Sequence, residues 1–213
     1  MGAVLHVVNN LGFYRLRFGA FLLAAIATAS PGQTVGNQPT NGPPVPYVDI
    51  GACPFEGCVY REWGVEAAVK VFAERRATAA VAFTLKKGDR VQAIDGMVIT
   101  VRAGRVQFKK AIELRTEGGK VHVEPADTLF LLTYRGEGQT VAWFKGKLYK
   151  ELDGAEFFNG ACGIPGHDCN GKILAHPTTE WWIHVRNARG VEGWTNQPDR
   201  FCDKDAVGVG CNR

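Results

Sequence analysis

The 213-residue chain carries 25 Lys and Arg against 21 Asp and Glu, for a net charge of +4. Like charges form no block, and basic residues are not interleaved with aromatics along one stripe. A nucleic-acid partner and an anionic membrane surface are therefore not expected.

In chain order, residues 1–29 read as a secretory signal peptide. Arg15 and Arg17 form a basic start, residues 18–29 are an apolar run, and Ala27, Thr28 and Ala29 supply a small-x-small cleavage pattern. The run is shorter than the roughly 20 residues a membrane helix needs. No later stretch approaches that length, so no transmembrane span is expected after cleavage, and no Cys follows the run to accept a lipid. Residues 30–46 are rich in Gly, Pro, Asn, Gln and Thr without apolar periodicity. Such a segment cannot bury enough surface to offset its chain entropy and reads as a disordered linker.

All six cysteines, Cys53, Cys58, Cys162, Cys169, Cys202 and Cys211, follow the linker. An even count behind a secretory signal reads as disulfides in an oxidising compartment, so the protein is expected to be secreted or periplasmic. Sequence leaves the pairing open. The simplest choice is local closure in three couples, each tying a turn or chain end that has little core of its own. Zinc is the competing use, with Cys162, His167 and Cys169 available, but structural zinc wants tight C-x2-4-C pairs and none is present. No metal and no cofactor is expected.

Residues 59–64 alternate as a strand does, with Val59, Arg61 and Trp63 against Tyr60, Glu62 and Gly64, and residues 69–72 suggest another. Between them, residues 66–70 have the composition of a single helical turn, too short to be stable alone. A polar loop over 74–80 leads to VAFTLKKGDRVQAIDGMVITV at 81–101. It reads as strands around a Lys87-Gly88-Asp89 turn, with Asp95-Gly96 as a further hairpin signal. Arg75-Arg76, Lys86-Lys87 and Lys109-Lys110 read as charges protecting turns and strand ends.

Four more strands are expected over 106–114, 120–123, 128–134 and 140–144. The Gly136-Glu137-Gly138 run is a turn and not a phosphate loop, because no helix follows to offer its N-terminus. From 151 to 178 strand character is lost, and GACGIPGHDCNG reads as a disulfide-pinned loop. His167 and Asp168 suit acid–base or metal chemistry, yet adjacent residues seldom aim at one atom, and an even, coupled cysteine set leaves no thiol nucleophile.

Residues 180–194, EWWIHVRNARGVEGW, form the most legible hairpin of the chain. Trp181, Ile183 and Val185 alternate with Trp182, His184 and Arg186, a turn follows, and Gly193-Trp194 closes the second strand. This pattern resembles the closing hairpin of bacterial SH3-type domains. V-x-F-x-L-x-K-G-D-x-V at 81–91 resembles the strand, glycine turn and strand of the same family. Together with the C-x4-C-V-Y-R-E-W and T-Y-R-G-E-G blocks, the chain also resembles a group of secreted bacterial proteins. It departs from the family at residues 105–147, which stand where a Gly-Trp hairpin would follow.

The expected fold is all-β with little helix: small SH3-like barrels, two in tandem over 47–150 and 151–213, or one elaborated barrel with an inserted β-meander. The resemblance implies a secreted, non-catalytic binding module of the bacterial envelope, holding a cell-wall peptide, a peptidoglycan-type ligand or an envelope protein. Tyr134, Trp143, Trp182 and Trp194 are the residues expected to line an aromatic groove. Two other readings remain open. An envelope hydrolase would bring His167 and Asp168 together with a third polar group in a pocket, and a partner-binding protein would offer a long uncharged edge strand.

Overall fold

The computed structural model describes residues 42–158, 162, 169–208 and 210–211. The expected signal peptide, most of the linker, and His167 with Asp168 lie outside the described residues. The chain lays down β1 (Tyr47–Ile50), β2 (Glu62–Val65), β3 (Val69–Phe72), β4 (Val81–Leu85) and β5 (Arg90–Arg102). It then builds a second set: β6 (Gly104–Phe108), β7 (Ile112–Thr116), β8 (Gly119–Val123), β9 (Thr128–Gly136), β10 (Gln139–Phe144), β11 (Lys147–Asp153) and β12 (Gly171–Ala175). It returns with β13 (Thr178–Arg186), β14 (Glu192–Thr195) and β15 (Phe201–Cys202). The protein is nearly all β, as expected; its helical turns include two three-residue 3-10 segments, Ala155–Phe157 and Pro198–Arg200.

One sheet has the order β15-β2-β5-β13-β14-β3-β4, with β1 also on β5; the other runs β12-β6-β9-β10-β11-β7-β8. The two stretches that carry the SH3-type resemblance lie in the same sheet, because β13 pairs along β5 and β14 pairs with β3. The second sheet is inserted between β5 and β13. The boundary expected at 150/151 falls inside β11, and strands from either side of it pair in each sheet, β12 with β6 and β13 with β5.

Three local expectations are corrected. Asp95-Gly96 does not turn: both residues stay in β5, opposite His184 and Ile183. Glycine serves a close approach there, since a Cβ would lie 2.8 Å from the Trp182 carbonyl oxygen and clash with the Tyr60 hydroxyl. Pairing along the full strand outweighs a local turn preference. Residues 106–114 divide into β6 and β7, separated at Lys109-Lys110. The 151–178 region contains β12, whose short GKILA run pairs with β6; five residues beside a disulfide loop carry too little pattern to be read as a strand.

Each sheet has its own core. The first is built on Trp63, Val69, Val71, Phe83, Leu85, Ile183, Val185 and Phe201. The second is built on Val106, Phe108, Leu129, Leu131, Phe144, Leu152 and Phe157. The alternation read from β13 holds, with Ile183 and Val185 in the first core and Trp181 packed against it. Aromatic rings concentrate here: Trp63 stacks on Tyr60 at 5.7 Å and meets Trp181 and Phe201 at 6.0 and 5.8 Å. The Tyr60 hydroxyl donates to the Ala52 carbonyl and accepts from Trp181 Nε1 at 3.0 Å.

The disulfides join the local couples Cys53–Cys58, Cys162–Cys169 and Cys202–Cys211. The first bridge shapes a loop that holds the sheets together. The Glu56 carboxylate accepts from the amides of Glu137 and Gly138 at the β9–β10 turn, and Gly57 N donates to Glu137 Oε1. The CPFEGC and TYRGEG blocks thus meet. Beside them, Asp49 of β1, 2% exposed, takes two hydrogen bonds from the guanidinium of Arg135 on β9. Thr100 of β5 donates across the same junction to the Leu132 carbonyl at 2.8 Å.

Replacing Arg135 with Met leaves the Asp49 carboxylate buried without its partner and is expected to cost about 3–5 kcal/mol. Urea denaturation checks this, with the Asp49→Asn/Arg135→Met double variant recovering part of the loss. Burial pushes the Tyr60 phenol from its ordinary 10.0 up to about 12, outweighing the opposing Trp181 hydrogen bond. A group whose folded pKa is raised stabilises the fold fully below its unfolded pKa, so the contribution of Tyr60 is present below pH 10 and is lost between pH 10 and 12. Ultraviolet titration should show one tyrosinate forming near the upper value, at a pH that falls to the ordinary range on unfolding in urea.

Candidate binding cleft

A cleft of about 580 Å³ lies at one end of the first sheet. One wall is Gly64, Val65 and Glu66, the end of β2 and the residue after it; the other is the Lys87-Gly88-Asp89 turn with Arg90, the first residue of β5. The walls are tied together through their backbones: Val65 N donates to the Asp89 carbonyl at 3.0 Å, and Gly88 N donates to the Val65 carbonyl at 2.8 Å. The turn is closed by its own aspartate, whose Oδ2 accepts from Lys86 N at 2.7 Å. This is the local hydrogen bond that suits Asp to turns.

The third boundary comes from the chain end. Arg61, in the strand-like run at 59–64, donates to the carbonyls of Asp203 and Asp205 at 3.0 and 2.7 Å. That holds the Cys202–Cys211 segment against β2. Gly64 permits the contact, since a Cβ there would lie 2.9 Å from Cys202 Sγ and still closer to Cys211 Sγ. Asp203 accepts from Cys211 N at 3.2 Å and from Arg90 at 3.3 Å, and Arg90 also pairs with Glu62.

Two smaller hollows flank the cleft. One, of about 310 Å³, shares Asp89 and Arg90 with it and extends to Phe83, Thr84 and Leu85 of β4 and to Arg189 in the β13–β14 turn. The other, of about 280 Å³, shares Glu66 and extends to Phe55 and Lys204. The Lys204 ammonium donates to the Pro198 carbonyl at 2.7 Å. Burial pulls its pKa below the usual lysine range, a shift opposed by Asp199 and Glu66.

The four aromatics expected to form a groove are divided between the sheets. Tyr134 belongs to β9 and stacks on Phe158 at 5.5 Å. Trp143 lies in β10, opposite Phe130 and Leu148, and is half-buried. Trp182 is 3% exposed, and its Nε1 donates to Glu180 at 3.1 Å. Trp194 stacks on His184 at 4.6 Å, with the Arg75 guanidinium 5.7 Å from its ring centre. None of the four is among the residues that line the cleft.

His184 sits with Nε2 3.2 Å from Glu192 and Nδ1 3.6 Å from Asp95. Among the described residues its neighbours are thus two carboxylates and the Trp194 ring, which engage the imidazole in ion pairing and stacking. The two groups of Cys and acid side chains close enough for a metal, Glu156 with Cys162 and Cys169 and Asp203 with Cys202 and Cys211, have their sulfurs in disulfides. A disulfide does not supply the thiolate that a metal takes. Among the described residues no helix is long and apolar enough to cross a membrane. Compared with known protein families, curated proteins and solved structures, the chain matches none.

Sequence does not single out the cleft residues, because a turn suffices to explain Lys87, Gly88 and Asp89, and a strand suffices for Gly64. The usable signal was the pair Lys86-Lys87 beside a glycine turn in the SH3-type stretch. Gly64→Ala is expected to push the Cys202–Cys211 bridge off β2 and to cost about 1–3 kcal/mol by overpacking. Thermal denaturation measures the loss, and unchanged stability would show that the bridge is free to move.

Proposed function

We propose that this protein is a secreted, non-catalytic SH3-type binding module of the bacterial envelope, and that the cleft between β2 and the Lys87–Asp89 turn receives a peptide or peptidoglycan-type ligand. The cleft itself carries the reading. Its volume falls in the range of ligand sites, and its walls are fixed by backbone hydrogen bonds before any ligand arrives. Its polar side chains are a lysine, an arginine and two acids, with no nucleophile-and-base pair among them. That composition suits recognition and offers no acyl-transfer chemistry.

The strand order supports the family resemblance. The Gly193-Trp194 hairpin lies beside β3 and β5, and after the 3-10 turn Pro198–Arg200 the chain adds β15 to β2. The two stretches that carry the resemblance are therefore neighbours in one sheet, which supports the reading. The three disulfides fit an oxidising compartment. The aromatic groove expected from the sequence gives way in this reading to a cleft whose selectivity is polar.

The test is retention of the oxidised protein on purified peptidoglycan. Wild type is expected to sediment with the polymer, and Lys87→Glu to lower the retained fraction by about tenfold through charge reversal at the wall. Lys120→Glu, on the second sheet, should match wild type. A wild-type protein left wholly in the supernatant sinks the proposal.

A further inference from the structure

The charges around the three hollows are unequally committed. Asp89 is held by Lys86 N, Asp203 by Cys211 N and Arg90, and Asp205 by the amides of Val207 and Gly208. Arg90 is spent on Glu62 and Asp203. Three charged side chains remain without a hydrogen-bonded or ion-paired partner among the described residues: Lys87, Arg189 and Glu66. Their placement is polar. Arg189 lines the hollow beside β4 and Lys87 the adjoining wall of the cleft, whereas Glu66 stands on the opposite wall and borders the hollow that leads to Phe55.

We infer that the groove takes an extended peptide bearing a free carboxylate at the Lys87–Arg189 end and an ammonium group at Glu66. The inference rests on the binding-module reading and assigns the ligand's chemistry and direction within that site. A ligand anionic throughout would meet Glu66 across the cleft, and an uncharged one would leave Lys87 and Arg189 unanswered; Lys204, which shares the hollow with Glu66 and acts on it through space, donates from its ammonium to the Pro198 carbonyl. An extended chain suits the β4 end, because among the described residues β4 is the last strand of its sheet and keeps one edge unpaired while Phe83, Thr84 and Leu85 line the hollow. Backbone groups on such an edge pair with an added strand, and the guanidinium of Arg189 offers the forked geometry that carboxylates prefer.

Calorimetric titration of the mature, oxidised protein with a soluble peptidoglycan stem tetrapeptide tests this, using three forms: free at both ends, amidated at the carboxyl terminus, and acetylated at the amino group. In wild type, amidation and acetylation are each expected to weaken binding by about tenfold, the loss of one charge-assisted contact. In Lys87→Ala/Arg189→Ala the free and amidated forms should bind alike, and in Glu66→Gln the free and acetylated forms should. This pairing of variant with ligand is one that general unfolding does not produce. If wild type binds the free and blocked peptides equally, the charge assignment fails while the binding module stands. The charge assignment fails in the same way if wild type is retained on intact peptidoglycan but binds no soluble peptide. If neither the polymer nor any peptide is bound, both readings fall together.

Discussion

The pairing of β5 along both of its edges is the constraint on which the other features depend. Its first residues accept β2, its later residues accept β1, and β13 runs beside it from Gln92 to Arg102. A strand engaged in this way cannot bend back at Asp95-Gly96, and so it runs the length of the first sheet. Its beginning supplies Arg90 to the cleft. Through β1 and Thr100 it also supplies the first sheet's side of the junction with the second sheet, where the buried Asp49 carboxylate meets the Arg135 guanidinium of β9. A buried pair of this kind is poor evidence of net stabilisation, but it penalises any arrangement in which the two sheets are misplaced, because each charge is then left alone.

Aromatic residues have two physical uses that a sequence does not separate: they fill cores, and they cover ligands. Here the first use dominates. Trp63, Tyr60, Trp181 and Phe201 form a set of contacting rings inside the first sheet, and Tyr134 lies against Phe158 in the second. Trp194 is covered by this chain's own His184 and Arg75. The cleft instead lies among glycines, a valine and charges, where backbone geometry makes the walls and side chains add sign.

Features governed by neighbours in sequence were legible. The alternation of Ile183 and Val185 with His184, the Lys87-Gly88-Asp89 turn and the closure of each cysteine on its nearest partner all follow from local geometry. Features governed by distant partners were not. The fate of Asp95-Gly96 depends on β13, and β12 is defined by its pairing with β6, more than sixty residues earlier. The cleft depends on three segments far apart in sequence, brought together by two hydrogen bonds from Arg61 and by the absence of a side chain at Gly64. No window of the sequence contains them.

The insertion of the second sheet bears on the order in which the molecule can fold. The pairing of Thr178 with Arg102 spans about 75 residues. Closing a flexible loop of that length costs roughly 4 kcal/mol of chain entropy before the first contact rewards it. Every strand pairing of the second sheet lies within residues 104–175. Once β6 and β12 are side by side, the ends of β5 and β13 are already neighbours and the long loop has been closed on their behalf. The inserted sheet is in this sense an internal clamp: a chain segment apart from the cleft that makes the non-local strand pairing behind the cleft behave as a local one.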